Sequence, residues 1–286
     1  MVRCDAGLAE VVADVLWSFD PPAVEERDDD EPGRSLVLSG FDDRVTADGA
    51  ALAVQELPHC EASVSAVIDD GLDAWRAHAE VARAGQFVIV PAWLDHAAAP
   101  GEVAVRLDPD RAFGSGNHPT TRLTLELAAP LLKGGARVLD VGSGSGVLSI
   151  AAALSEAEVV AIDVDPHALE TTRANVARNH LDDRVTVDPR PLADVVADPA
   201  AGRFDVVLAN LLAPVVRELA PHLTVALAPQ GRLIVSGLLE DRWRDAVDAL
   251  TRPGRLEVAH VASRDGWVAV VLGPTAHRAR AGTSPG

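Results

Sequence analysis

The run Val138-Leu139-Asp140-Val141-Gly142-Ser143-Gly144-Ser145-Gly146-Val147-Leu148 restricts the fold of this chain more than any other stretch. Val138, Leu139 and Val141 form the apolar core of a strand covered on both faces. Gly142, Gly144 and Gly146 let the backbone turn sharply and come close to a ligand, where a Cβ would intrude. Residues 147–154 continue as a helix whose first N–H groups point back at the turn. A strand, a glycine turn and a helix in that order suit a nucleotide-like ligand.

The spacing and the nearby charge distinguish two such ligands. A dinucleotide turn reads G-x-G-x-x-G and seats a pyrophosphate on the helix N-terminus. Here the glycines are spaced G-x-G-x-G, and Asp140 stands two residues before the first. A carboxylate there would repel a pyrophosphate but could hydrogen-bond a cationic or amine-bearing ligand. S-adenosylmethionine has a sulfonium, an amino group and no phosphate, so the charge favours it over NAD. The next strand, residues 159–162, ends at Asp163. That acid follows the glycines by about 20 residues, the spacing of a carboxylate that binds a ribose diol.

Composition narrows the function classes. With 286 residues, 48% of them hydrophobic, the chain can bury an ample core. No apolar run reaches the 18 or so residues of a membrane span, and the first residues lack a signal-peptide pattern. Cys4 and Cys60 are the only cysteines, too few for a disulfide framework or a cysteine metal cluster. A cytoplasmic, metal-free protein is the expectation. The net charge of −18 makes a phosphate-gripping surface a poor expectation, so neither nucleic acid nor membrane is expected as a partner. The acidity suits a basic partner, or simply solubility.

Taken in order, residues 1–70 read as a small α+β unit. Leu8, Val11, Val12, Val15 and Leu16 recur at helical spacing over residues 7–19. Strands are expected at 23–27, 35–41 and 62–68, a helix at 47–57, and a further strand near Val2-Arg3-Cys4. This order suggests a ferredoxin-like layer. Residues 71–107 read as a connecting segment, with a helix over 69–84 holding Trp75 and strands at 86–91 and 103–107. The loop 108–118 then leads into a helix with Pro119 in its first turn and Asn117 or His118 as cap. Phe113 and Gly114 in that loop are expected to fold over the ligand.

Past Asp163 the pattern gives a helix at 166–179, a strand at 184–187 and a strand at 204–210. Asn210 falls at the carboxyl end of that last strand, where open α/β sheets place ligands. A helix at 214–227, a strand at 232–237 and a helix near 240–250 follow. Two strands at 256–261 and 267–272 flank the turn Arg264-Asp265-Gly266. Residues 108–272 thus read as a doubly wound, Rossmann-like sheet ending in an antiparallel hairpin, the arrangement of class I S-adenosylmethionine-dependent methyltransferases. The tail from residue 273 is rich in Gly, Pro and Arg and is expected to be disordered.

Four segments together resemble the PrmA family, the lysine methyltransferases of the eleventh large-subunit ribosomal protein. They are Asp108–Thr121 with its Gly-Ser-Gly-Asn-His-Pro-Thr-Thr, Val138–Gly146, Ala161–Pro166 and Ala209–Pro221. The family usually has Thr at Ser115 and often at Asn117, and the polar character is kept at both. The resemblance implies cofactor contacts at Thr121, Gly142, Asp163 and Asn210, a basic ribosomal protein as substrate, and a substrate-recognition role for residues 1–70. Asp140, Gly144, Phe113 and Gly114 join the expected cofactor site from their position alone. Asn210 is expected to position the reacting amine, and His118 to cap a helix rather than act as base. The alternatives are a methyltransferase of the same fold with another protein or small-molecule acceptor, and an NAD-dependent dehydrogenase or nucleotide-sensing module.

Overall fold

A computed structural model describes residues 1–19, 21, 24–29, 31, 33–41, 43–65, 80–108, 114 and 116–275. The chain divides into two compact units, Met1–Asp73 and Ala74–Gly286.

The first unit runs β1 (Val2–Asp5), a 3-10 turn (Ala6–Leu8), α1 (Ala9–Trp17), β2 (Val24–Asp28), β3 (Arg34–Ser39), α2 (Arg44–Gln55) and β4 (Glu61–Ala62). The strands lie in the order β2-β3-β1-β4, all antiparallel, which is the ferredoxin-like arrangement. Alternation in β1 buries Val2 and Cys4, and the helices lay Val12, Leu16, Ala50 and Val54 against them. Asp43 caps α2, accepting from the Thr46 N–H at 2.9 Å and its hydroxyl at 2.7 Å. The strand expected at 62–68 pairs only at Glu61–Ala62, because its partner β1 begins at Val2; one more bond joins Ser63 N–H to Met1 O at 2.9 Å. Residues 66–68 lie outside the described set.

The second unit opens with a three-stranded sheet of β5 (Ala82–Ala84), β6 (Phe87–Pro91) and β7 (Val103–Leu107). The expected connecting helix, Trp75 included, falls largely outside the described residues, and its last part is a strand instead. Gly85, at φ +59°, turns the chain so that β5 pairs antiparallel with β6 and alternates buried, exposed, buried. Next come α3 (Pro119–Ala128), β8 (Arg137–Val141), α4 (Val147–Leu154), β9 (Glu158–Ile162), α5 (Pro166–Arg178) and β10 (Val185–Asp188). Then follow α6 (Leu192–Ala197), β11 (Phe204–Asn210), α7 (Ala213–Ala226), β12 (Leu227–Leu239), α8 (Trp243–Thr251), β13 (Leu256–Arg264) and β14 (Trp267–Pro274). Helix α6 was not anticipated from the sequence, although Leu192 and Val195 lie on one face of it and both are buried.

Seven strands form one sheet in the order β10-β9-β8-β11-β12-β14-β13. The first five are parallel, and β14 and β13 close the edge antiparallel. Asp265 and Gly266 both take positive φ, which gives the hairpin its two-residue turn. One face of the sheet packs α4, α5 and the β5–β7 strands around Ile150 and Val176; the other packs α6, α7 and α8 around Leu223 and Leu250. The chain winds from β8 outward through β9 and β10, then restarts at β11 on the other side. A crevice therefore opens at the carboxyl ends of β8 and β11, the switch point of a doubly wound sheet.

Candidate active site

The glycine turn is made as its residues require. Gly142, Gly144 and Gly146 adopt φ of +76°, +54° and +82°, and Gly146 is the cap of α4. The turn is tied to the neighbouring strand by the N–H groups of Gly142 and Ser143, which both donate to Ile162 O at 2.9 and 3.0 Å. Asp163, next in line, accepts from Gly144 N–H at 2.9 Å with Oδ2 and from Asp165 N–H at 3.0 Å with Oδ1. Its carboxylate is thus oriented by two backbone donors, and each oxygen keeps acceptor capacity for a ligand hydroxyl.

Helix α5 braces the turn from below, a role not foreseen in the sequence. Thr172 Oγ1 donates to Gly144 O at 2.9 Å, and Asn175 Nδ2 donates to Ser145 O at 2.9 Å and to Asp108 O at 2.8 Å. Asn175 Oδ1 accepts from Asp108 N–H at 2.9 Å. The signal available was two polar residues three apart on a face otherwise carrying Ala168, Leu169 and Val176. Both are wholly buried, so their hydrogen bonds are structural necessities.

Above the turn lies a cleft of about 570 Å³, within the range of small-molecule sites. Gly142, Gly144, Asp163 and Asn210 line it, as do Ile162, Val164, Leu192, Leu211 and Trp267. Val164 is 85% exposed, an apolar side chain left uncovered beside the acid at the end of β9. Asn210 Oδ1 is buried without a partner among the described residues, a cost that a bound donor would remove.

Three other expected contacts sit beside the cleft rather than on its wall. Asp140 is fully buried beneath the turn, where Oδ2 accepts from Ser149 Oγ at 2.6 Å and Oδ1 has no partner. Strand alternation turns Asp140 toward α4, which is why it pins Ser149 instead of facing the cleft. Burial, with Asp163 as a lesser contributor, pushes its carboxyl up to about 6 against the Ser149 hydrogen bond. Thr121 is buried in the first turn of α3, its Oγ1 also unpartnered, while its neighbour Thr120 lines the cleft. Gly114 packs against the turn, its carbonyl accepting from Ser145 Oγ at 2.8 Å; a Cβ there would lie 2.7 Å from that hydroxyl. Phe113 lies outside the described residues.

His118 caps α3. Its Nδ1 accepts from Thr120 N–H at 3.4 Å and lies 2.7 Å from Thr120 Oγ1. Its ring meets Trp267 edge to face at 5.0 Å, and burial lowers its pKa. Leu211, next after Asn210, is closely packed between the strands' ends. Its N–H donates to Ser236 O at 3.0 Å. Its Cδ2 lies 2.5 Å from where a Cβ on Gly142 would be, and its carbonyl oxygen lies 2.5 Å from a Cβ on Gly237. Gly237, at φ +81°, sits where the pairing of β12 with β14 shifts register.

Comparison with known proteins agrees with this architecture. The family described as "Ribosomal protein L11 methyltransferase (PrmA)" matches residues 34–274. The chain belongs to the PrmA family. Relatives bearing the name ribosomal protein L11 methyltransferase include one from Symbiobacterium thermophilum, 40% identical over 206 residues, or 71% of this chain and 65% of that protein. Another, from Pelobacter propionicus, is 37% identical over 255 residues, 85% of this chain and 78% of that protein. The chain thus spans just under two thirds of the first relative's length. A crystal structure of the ribosomal protein L11 methylase of Lactobacillus delbrueckii subsp. bulgaricus aligns with a TM-score of 0.62 and 29% identity, covering 68% of this chain and 99% of that one. The fold is that of a class I S-adenosylmethionine-dependent methyltransferase, and PrmA membership leaves no place for the dehydrogenase alternative.

Proposed function

We propose that this PrmA-family protein transfers methyl groups from S-adenosylmethionine to lysine amines of ribosomal protein L11. The observation that carries the proposal is the unpartnered, buried Oδ1 of Asn210, on the wall of the cleft that also holds Gly142, Gly144 and Asp163. These residues fit the cofactor. A ribose diol needs an oriented carboxylate, and Asp163 is one. A purine needs an apolar slot, and Val164, Pro191 and Leu192 border one. S-adenosylmethionine supplies an activated methyl on a sulfonium.

The protein's part is alignment and desolvation. The acceptor nitrogen must lie in line with the methyl carbon, and holding that line is the main catalytic task. A lysine amine must also shed a proton, which at pH 7 costs about 4–5 kcal/mol for a group of ordinary pKa. The apolar walls formed by Leu211, Leu212 and Trp267 lower that cost by disfavouring the ammonium. Asn210 Oδ1 accepts an N–H of the neutral amine and turns its lone pair toward the methyl group. His118 Nδ1 is taken up by Thr120 as a helix cap, and water takes the proton. The unit formed by residues 1–73 presents the acceptor protein. Action on a ribosomal protein places the reaction in the cytoplasm.

The test is transfer of radiolabelled methyl from S-adenosylmethionine to ribosomal proteins from cells lacking this enzyme. One labelled band, identified by mass spectrometry as L11 with its lysines modified, is the expected result. A label on other proteins only would sink the acceptor assignment. Asn210→Ala is expected to lower turnover about 100-fold at saturating cofactor; undiminished turnover would remove Asn210 from the mechanism.

A further inference from the structure

A second cavity, of about 340 Å³, adjoins the cleft. The two share Leu212, Gly237 and Trp267 as walls, so the second begins where the first ends. Its floor is apolar and uncovered: Leu212 is 64% exposed and Leu239 43%. Arg217, one turn into α7, Arg242 and Asp245 also line it. Arg242 is paired with Asp241 at 3.2 Å. Arg217 is exposed and makes no hydrogen bond or ion pair among the described residues. Glu218, next to it, projects from a different face of α7, since successive helix residues are about 100° apart.

Asp241 matches Arg242, while Arg217 makes no ion pair with Asp245 among the described residues, so its guanidinium is an unmatched cation in an acidic molecule. A chain of net charge −18 draws a basic protein toward it. A bare guanidinium beside the methyl-transfer cleft then opposes the approach of any lysine, unless a carboxylate arrives with it. Arginine binds carboxylates in a two-pronged geometry that fixes orientation as well as affinity. In a lysine-rich acceptor this arrangement discriminates: it accepts a lysine with an acidic neighbour and rejects one with a basic neighbour.

Building on the lysine-methyltransferase assignment, we propose that the second cavity seats the acceptor residues flanking the target lysine, and that Arg217 recognises a carboxylate among them. The cavity is then a specificity site for the acceptor polypeptide, separate from the cofactor contacts and without a part in the methyl-transfer step.

The experiment uses the full chain and short peptides with one central lysine and a glutamate, glutamine or lysine at successive flanking positions. Two quantities are read: kcat/KM for methylation, and peptide affinity for the enzyme loaded with S-adenosylhomocysteine. The parent is expected to favour a glutamate at one position about tenfold over lysine, through KM and affinity rather than kcat. Arg217→Glu is expected to invert that preference, with kcat at saturation and S-adenosylhomocysteine affinity within about threefold of the parent. The same rank order of peptides in the parent and in Arg217→Glu would overturn the proposal, as would a parent with no preference. Arg217 is exposed and unpaired, so the substitution leaves the fold intact. If the parent binds the peptides with the expected preference yet methylates none, the lysine-transfer assignment fails and the recognition site stands.

Discussion

The two units of this protein are stabilised by different means. In the first, the buried side chains are mostly apolar: Val2, Cys4, Val12, Leu16, Val37 and Val54 make the core, with Ser35 and the carboxylate of Asp29, which pairs with Arg3, as buried polar groups. In the second, polar side chains are buried too, and many of them gather at one place. Asp140, Ser143, Ser145, Ser149, Thr172 and Asn175 all lie in, under or beside the glycine turn. Burying a polar group costs free energy unless it is bonded, so such a cluster survives only where each bond has a use. The first unit shows what holding a sheet together requires. The excess in the second shows what holding a ligand turn requires.

The comparison can be broken most severely at Asn175. Asn175→Ala removes bonds to Ser145 and Asp108 at once and strands their buried backbone groups. A loss of about 3–5 kcal/mol in denaturant unfolding of the second unit is expected, with cofactor affinity lost alongside. In the first unit the corresponding lesion is apolar. Leu16→Ala, at a position 3% exposed, is expected to cost about 2–4 kcal/mol in unfolding of that unit and to leave S-adenosylhomocysteine affinity, measured by calorimetry, unchanged.

Asp140 sharpens the comparison through pH. Its folded pKa, about 6, lies above the unsubstituted value of 3.8. Between those values the folded state holds a proton that the unfolded state has released. Stability from this group is therefore full below pH 4 or so and is lost as pH rises through about 6. Asp140→Asn carries no such charge and is expected to be more stable than the parent at pH 8 by ~3 kcal/mol, the gap closing by pH 4. Equal pH dependence of the two proteins in thermal unfolding would show that Asp140 titrates normally. The smallest effect is expected at Ser35. Its hydroxyl, on the core face of β3 with Val37, reaches Oε1 of the exposed Glu26 at 3.1 Å, and Ser35→Ala is expected to cost under ~1 kcal/mol by the same measurement.

The second unit was largely legible in the sequence because its signals are local. Apolar runs four to seven residues long, ending in Gly142, Asp163 and Asn210, announce buried parallel strands and the side of the sheet where they end. The residues that face the cleft from strand ends were found for that reason. Asp140 was placed on the ligand side by its position before the glycines and its charge, and strand alternation decided otherwise by turning it into the core. Thr172 and Asn175 were missed because their partners are backbone atoms about thirty residues away, which no spacing rule records. The second cavity was illegible for a similar reason: Leu212, Arg217, Leu239 and Trp267 converge only once β12 and β14 pair.

Leu211 removes freedom from the residue before it. Gly142 bounds its side chain, Gly237 bounds its carbonyl, and Ser236 fixes its amide. A part approached this closely on three sides can shift little. Asn210, joined to it by one peptide bond, inherits that setting from the ends of β8, β11 and β12 rather than from a loop. The tolerance of the site is thus the tolerance of the sheet, and a methyl group can be aimed by strands that never touch it.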